Sequence, residues 1–174
     1  MNRQELAKAI YEVSHITGVF KLRSGIESNE YFDKYRFESN PNILQAIAKQ
    51  MVSLIPTGID YLAGLEMGGI PIASLLSIET GIPAVFIRKT PKEYGTCQFV
   101  EGALVQGKKL LIIEDVVTSG GQIIISTNDL RNEGAIIDQA ICVIDREAGG
   151  KDNLMKSNIT LNALFNMNDL KPKK

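Results

Sequence analysis

Apolar positions along this chain alternate between two rhythms. Leu6, Ala9, Ile10 and Val13 keep helical spacing behind Asn2, a capping residue, with Glu5 at the distance that completes a capping box. Leu44, Ile47, Ala48, Met51 and Ile55 repeat that spacing after Asn40-Pro41, a cap followed by a first-turn proline. Short aliphatic runs mark buried strands over residues 61–65, 84–87, 110–113 and 140–144, with a last one near 159–164. Helices fall between them: residues 70–80, then a segment from Gly121 to about Glu133 with Ile124, Ile125 and Leu130 as apolar positions, then a short one after Gly149-Gly150. Alternation of this kind predicts an α/β protein with a mainly parallel central sheet flanked by helices. Residues 18–38 break the rhythm with strand-like pieces around the Ser24-Gly25 turn. They predict a hairpin or hood outside the main sheet, built largely by residues 1–40. The 174 residues fit one domain with a sizeable core.

Chemistry gathers where the apolar runs end. Ligands of open α/β sheets collect beyond the carboxyl ends of the strands. Four such segments carry glycine or polar residues: Glu66-Met67-Gly68-Gly69, Arg88 to Gly95, Glu114 to Gly121, and Asp145-Arg146-Glu147. Gly68-Gly69 reads as a tight strand-to-helix turn. The polar loop over 88–107 is longer than an ordinary connection, which marks it as a lid or binding loop. The third segment is the richest. Leu110 to Ile113 runs into two carboxylates, Glu114 and Asp115, and Val116-Val117 then leads to Thr118-Ser119-Gly120-Gly121. The glycines let the backbone turn sharply, so that consecutive N–H groups point into one concavity at a helix N-terminus, where a phosphate fits. The carboxylates would repel that phosphate and so serve another part of the ligand. A ribose 5-phosphate uses both halves.

Glu114 to Gly121 resembles the phosphoribosyl pyrophosphate signature of the type I phosphoribosyltransferases. Three further segments narrow the resemblance to the orotate branch. Arg88-Lys89-Thr90-Pro91-Lys92-Glu93-Tyr94-Gly95 is similar to that branch's basic mobile loop. Phe20 to Ser28, followed by Tyr31-Phe32-Asp33, is similar to its N-terminal base-side motif, and Asp145-Arg146-Glu147 matches its second base-contacting position. The resemblance implies the type I phosphoribosyltransferase fold. It also implies transfer of the phosphoribosyl group from phosphoribosyl pyrophosphate to orotate in pyrimidine synthesis, with inversion at the anomeric carbon.

Site roles follow from the same resemblance. Glu114 and Asp115 would accept hydrogen bonds from the ribose hydroxyls, and Asp115 would stabilise the cationic ribosyl carbon. Thr118, Ser119, Gly120, Gly121 and Gln122 would hold the 5-phosphate, with Val116 and Val117 also in the phosphoribosyl pyrophosphate-binding segment. Arg88, Lys89 and Lys92 would neutralise the departing pyrophosphate, with Lys92 as the catalytic cation. Orotate would be held by Arg146, Arg23 and Thr118. Magnesium is implied as the counter-ion of the diphosphate, bound mainly by ligand and water with no dedicated protein ligands. A homodimer is implied as well, each loop 88–102 closing over the neighbouring site. The chain departs from the branch's usual residues at Arg23, Tyr94 and Gln122.

Two rival readings stay open. A purine-base phosphoribosyltransferase would share residues 110–122 but would not need Arg146 together with Phe20-Lys21-Leu22-Arg23-Ser24-Gly25. A regulator that senses the sugar phosphate without chemistry would need neither Arg88 nor Lys92. Composition bounds the rest. A formal net charge of −1 gives no global field for nucleic acid or an anionic membrane, so an anionic ligand depends on local cations. No apolar stretch approaches the roughly 20 residues that span a bilayer. The N-terminus lacks the apolar core of a signal peptide, and a cytoplasmic protein is expected. Cys97 and Cys142 are too few for a disulfide framework or a zinc site, and Cys142 reads as a buried thiol. His15, the single histidine, is expected on the first helix.

Overall fold

A computed structural model of the chain describes residues 1–21, 25–90 and 99–171. The capping box forms as its spacing predicts: Glu5 N–H donates to the Asn2 side chain at 3.0 Å, and Asn2 N–H donates to the Glu5 carboxylate at 2.9 Å. It opens α1 (Arg3–Ser14), which buries Leu6 and Ile10. β1 (His15–Lys21) and β2 (Glu27–Phe32) then pair antiparallel as a separate two-stranded hood. His15 is the first residue of that strand rather than part of the helix. No glycine ends α1, and the chain passes straight into extended backbone at His15. A one-turn α2 (Tyr35–Glu38) follows, and the Asn40 side chain then caps α3 (Pro41–Met51).

The main sheet is built from β3 (Tyr61–Leu65), β4 (Ala84–Ile87), β5 (Val100–Glu101), β6 (Lys109–Val117), β7 (Ile136–Asp145) and β8 (Thr160–Asn166). Its order is β5-β4-β3-β6-β7-β8, parallel throughout except for β5. Connecting helices are α4 (Gly69–Thr80), α5 (Gly121–Asn132) and α6 (Gly150–Lys156), and α7 (Met167–Leu170) follows β8. Side chains alternate across the sheet with period two. Leu111 and Ile113 pack with α1, α3 and α4, whereas Leu110 and Ile112 pack with Ile123, Leu130 and Leu154 on the other face. Among the described residues, no helix is long and apolar enough to cross a membrane.

Three local expectations are revised. The central strand runs on to Val117, so Glu114 and Asp115 sit in β6 rather than in a loop beyond it. β5 lies within the stretch read as loop, held by Arg88 N–H donating to the Phe99 carbonyl at 3.0 Å. On α5 the buried positions are Ile123, Ser126, Thr127 and Leu130, while Ile125 is exposed. Two of those four are hydroxyl residues, so an apolar count alone picks the wrong stripe. Cys142 is fully buried on β7, and burial pushes its thiol well above the ordinary range.

Candidate active site

The turn from β6 into α5 is made by Thr118, Ser119 and Gly120. Gly120 caps α5 at φ 75° and ψ 4°, a left-handed conformation that glycine adopts without a Cβ penalty. A second reason also demands glycine: a Cβ there would stand 2.9 Å from Leu154 Cγ on α6. Asn153 on α6 braces the turn by donating to the Ser119 carbonyl at 3.1 Å. The first bond of the helix runs from Ile124 N–H to the Gly120 carbonyl at 3.0 Å. The N–H groups of Gly121, Gln122 and Ile123 therefore emerge at the helix end without intrahelical partners. Gln122 turns its amide along its own helix and donates to Ser126 Oγ at 3.1 Å.

This turn and the two acids line one cleft of about 310 Å³, which also touches Lys34, Tyr35, Glu66, Met67 and Lys89. Asp115 has no exposed surface. It extends the Leu111–Ile113 face toward α2, where Lys34 Nζ lies 2.5 Å from its Oδ2. The two charges face each other directly, and each favours ionisation of the other. Glu114 folds back to accept from Asp115 N–H at 3.0 Å. A third carboxyl, Glu38, joins from α2, with a buried Oε1 that has no hydrogen-bond partner among the described residues.

The three acids do not share charge equally. Burial, with Asp115 alongside, pushes Glu38 up to about 9 and holds Glu114 well above the ordinary range. Burial also acts against charge on Asp115, but the close approach of Glu114, Glu38 and Lys34 outweighs it and lowers Asp115. The environment thus sets the two neighbouring acids apart, Glu114 pushed up and Asp115 pulled down. Gly68 explains how the acid fits. A Cβ at Gly68 would overlap Asp115 Oδ2, and one at Gly69 would overlap the Ile113 carbonyl oxygen. The glycine pair does more than make a tight turn: it lets the start of α4 close onto the acidic strand.

The basic loop is only partly described. Lys92, Tyr94 and Cys97 lie outside the described residues, as does Arg23 of the hood. Lys89 lines the cleft, and its N–H donates to the Glu66 carboxylate at 3.0 Å. Arg88 pairs with Glu101 at 3.0 Å and is not among the residues lining the cleft.

On the base side, Arg146 N–H donates to the Val117 carbonyl at 2.9 Å, which brings its backbone beside Thr118. Its guanidinium points elsewhere, 5.9 Å from the centre of the Phe32 ring. There it lines a cavity of about 290 Å³ with Tyr31, Phe32, His15 and Lys171. Thr118 and the Arg146 side chain thus face neighbouring cavities. His15 faces the hood cavity, bonded to Glu30 at 2.8 Å and stacked on Tyr11. Sequence reasoning overlooked Lys34 and Glu38. Lys34 directly follows the Tyr31-Phe32-Asp33 motif, which offered a faint signal, whereas nothing in the sequence marked Glu38 as buried.

Comparison with known proteins adds the family. Residues 35–167 match the phosphoribosyl transferase domain. An orotate phosphoribosyltransferase of a Nocardioides species is 49% identical over 149 residues, covering 86% of this chain and 83% of that protein. The one from Methanocaldococcus jannaschii is 37% identical over 169 residues, covering 97% and 96%. Among solved structures, the Mycobacterium tuberculosis orotate phosphoribosyltransferase in complex with Fe(III) dicitrate superposes with a TM-score of 0.88 at 25% identity. That match covers 99% of this chain and all of the other. With its mainly parallel sheet, its glycine-capped turn and its acidic strand end, the chain belongs to the phosphoribosyltransferase family, in the company of the orotate phosphoribosyltransferases.

Proposed function

We propose that this chain transfers the phosphoribosyl group from phosphoribosyl pyrophosphate to orotate, forming orotidine 5-monophosphate and pyrophosphate in pyrimidine synthesis. The observation that carries the reading is a single cleft in which the amides at the start of α5 lie beside a fully buried Asp115. The amides of the turn, with the Thr118 and Ser119 hydroxyls, take the 5-phosphate. Asp115 and Glu114 accept the ribose hydroxyls, and the negative charge on Asp115 favours the cationic ribosyl carbon that forms as pyrophosphate leaves. Arg146 recognises the orotate carboxylate from the hood side, where Phe32 supplies an aromatic face. Thr118 and Arg23 complete that contact.

Magnesium fits as an ion that arrives on the diphosphate. Among the described residues no three His, Cys, Asp or Glu side chains are placed to hold a metal, and Lys34 already faces Asp115. The ion would neutralise the leaving group while keeping most of its water. Lys89 lies at the cleft to meet the same charge. Lys92 and Arg88 join when the loop over 88–102 closes, completing the neighbouring site in a homodimer. The whole chain works as one cytoplasmic domain, with residues 1–40 as its hood. Loss of orotate absorbance on adding the donor and magnesium tests the assignment. Faster turnover of hypoxanthine, xanthine or adenine would move the chain to a purine branch, and donor binding without product would make it a sensor. Lys92→Ala should lower turnover by about 10²–10³, as removal of one transition-state charge donor does. Unchanged turnover at saturating substrate would reject that role.

A further inference from the structure

A carboxylate with no exposed surface gives up its charge unless a partner replaces the lost hydration. Asp115 is in that position, with Glu38 from α2 and Glu114 from its own strand crowding it further. Burial favours the neutral acid, whereas Glu114 and Glu38, through hydrogen bonds to the carboxylate, favour the charged one. Among the described residues, the cation set against that burial is Lys34, 2.5 Å from Asp115 Oδ2. The backbone adds one donor, Val116 N–H to Asp115 Oδ1, but no second cation faces the carboxylate among the described residues. Gly68 presses on the carboxylate without a side chain, and Cys142 on β7 is a buried thiol. Glu66 and Lys89 line the same cleft, but the Glu66 carboxylate is taken by Lys89 N–H. Tyr35 stands beside the Lys34 ammonium, 5.1 Å from ring centre to Nζ.

The placement of Lys34 along the chain matters as much as its charge. It is the N-cap residue of α2, whose Phe37 is fully buried and anchors that helix in the core. Two residues earlier, Phe32 lies under the Arg146 guanidinium. One short segment therefore joins the base-side cavity to the acid of β6.

We propose that Lys34 is a positioning residue for phosphoribosyl transfer: from the hood segment, its ammonium keeps Asp115 ionised and seated against Gly68, ready to accept ribose hydroxyls. The inference rests on the reading of Asp115 as the ribose acid. A compact point charge on a flexible stem suits a half-buried side chain that must reach a buried carboxylate.

The experiment compares native protein, Lys34→Met and Lys34→Arg. In Lys34→Met the acid limb of kcat/KM for the donor should move up by about 1–3 pH units. Binding of the magnesium–donor complex without base, followed by calorimetry near pH 6, should weaken about tenfold or more. Lys34→Arg keeps the charge and should return both most of the way to native values. A lower melting temperature with an unmoved acid limb would mean that Lys34 only fastens α2 to β6, and the proposal would be wrong. If Lys34→Met does not fold, Lys34→Gln supports a direct carboxyl NMR titration of Asp115 in ligand-free protein. A native-like midpoint there overturns the proposal equally. Native protein that binds no donor would instead refute the functional reading itself, before any variant is made.

Discussion

The phosphate turn and the acidic centre open into one cleft, yet they are built in opposite ways. The turn is backbone: three amides at the helix end without intrahelical partners, a left-handed Gly120 and an exposed rim of Thr118 and Ser119. The acidic centre is side chain: Asp115, buried completely, held by a lysine from the hood segment, with two further carboxyls around it. A backbone site needs only the local conformation that its own residues impose. A buried charged site needs compensation from elsewhere, because desolvation would otherwise neutralise it. The first is self-contained within a few residues, and the second draws on α2, β6 and the start of α4.

Substitutions can break or sharpen that contrast. The largest effect belongs to Asp115→Asn, which keeps the shape and removes the charge. Turnover should fall by about 10²–10³ in steady-state assays, with the fold intact by circular dichroism. A loss under tenfold would mean that the acid's charge matters little to catalysis. Gly120→Ala attacks the backbone half instead. The left-handed conformation costs a side chain about 1–2 kcal/mol, and Leu154 leaves no room. The donor KM should rise about tenfold while the orotate KM stays near native. Equal changes in both would contradict a site confined to the phosphate.

A gentler probe uses stability. Glu38 rises from an ordinary 4.5 to about 9 on folding, so between those values the unfolded chain binds fewer protons than the native one. Stability contributed by this group is therefore present at low pH and is lost as pH climbs through that window. Glu38→Gln removes the dependence, and its melting temperature should fall less than native between about pH 5 and pH 8. Parallel melting curves would show that Glu38 does not hold its proton in the fold. The smallest effect is expected at Gln122. Its amide is occupied by Ser126, so Gln122→Ala should change the donor KM by less than about threefold. A tenfold rise would mean that the side chain swings into the phosphate turn on binding.

Much of the fold was legible because its signals are local. Asn2 with Glu5, and Asn40 with Pro41, announce two helices in a few residues each. The aliphatic runs at 61–65 and 84–87 coincide with β3 and β4. The misread elements needed information from further away. Ser126 and Thr127 are buried because α5 lies on the sheet at that angle, although neither residue is apolar. Glu114 and Asp115 looked like loop acids, but pairing with β7 carries β6 through them as far as Val117. Gly68 read as turn geometry, whereas its missing Cβ makes space for a carboxylate 47 positions later in the chain.

By itself, the sequence determined the alternating α/β order, the helix starts, and the glycine turn that presents amides to a phosphate. Each of these follows from dihedral preferences and hydrogen bonds spanning a handful of neighbours. Only the tertiary structure decided which acid is pushed up and which is pulled down, which cation faces Asp115, and why Gly68 must be bare. Those outcomes depend on burial and on charges brought together from α2, β6 and the β3–α4 turn, and chain order does not record such proximity.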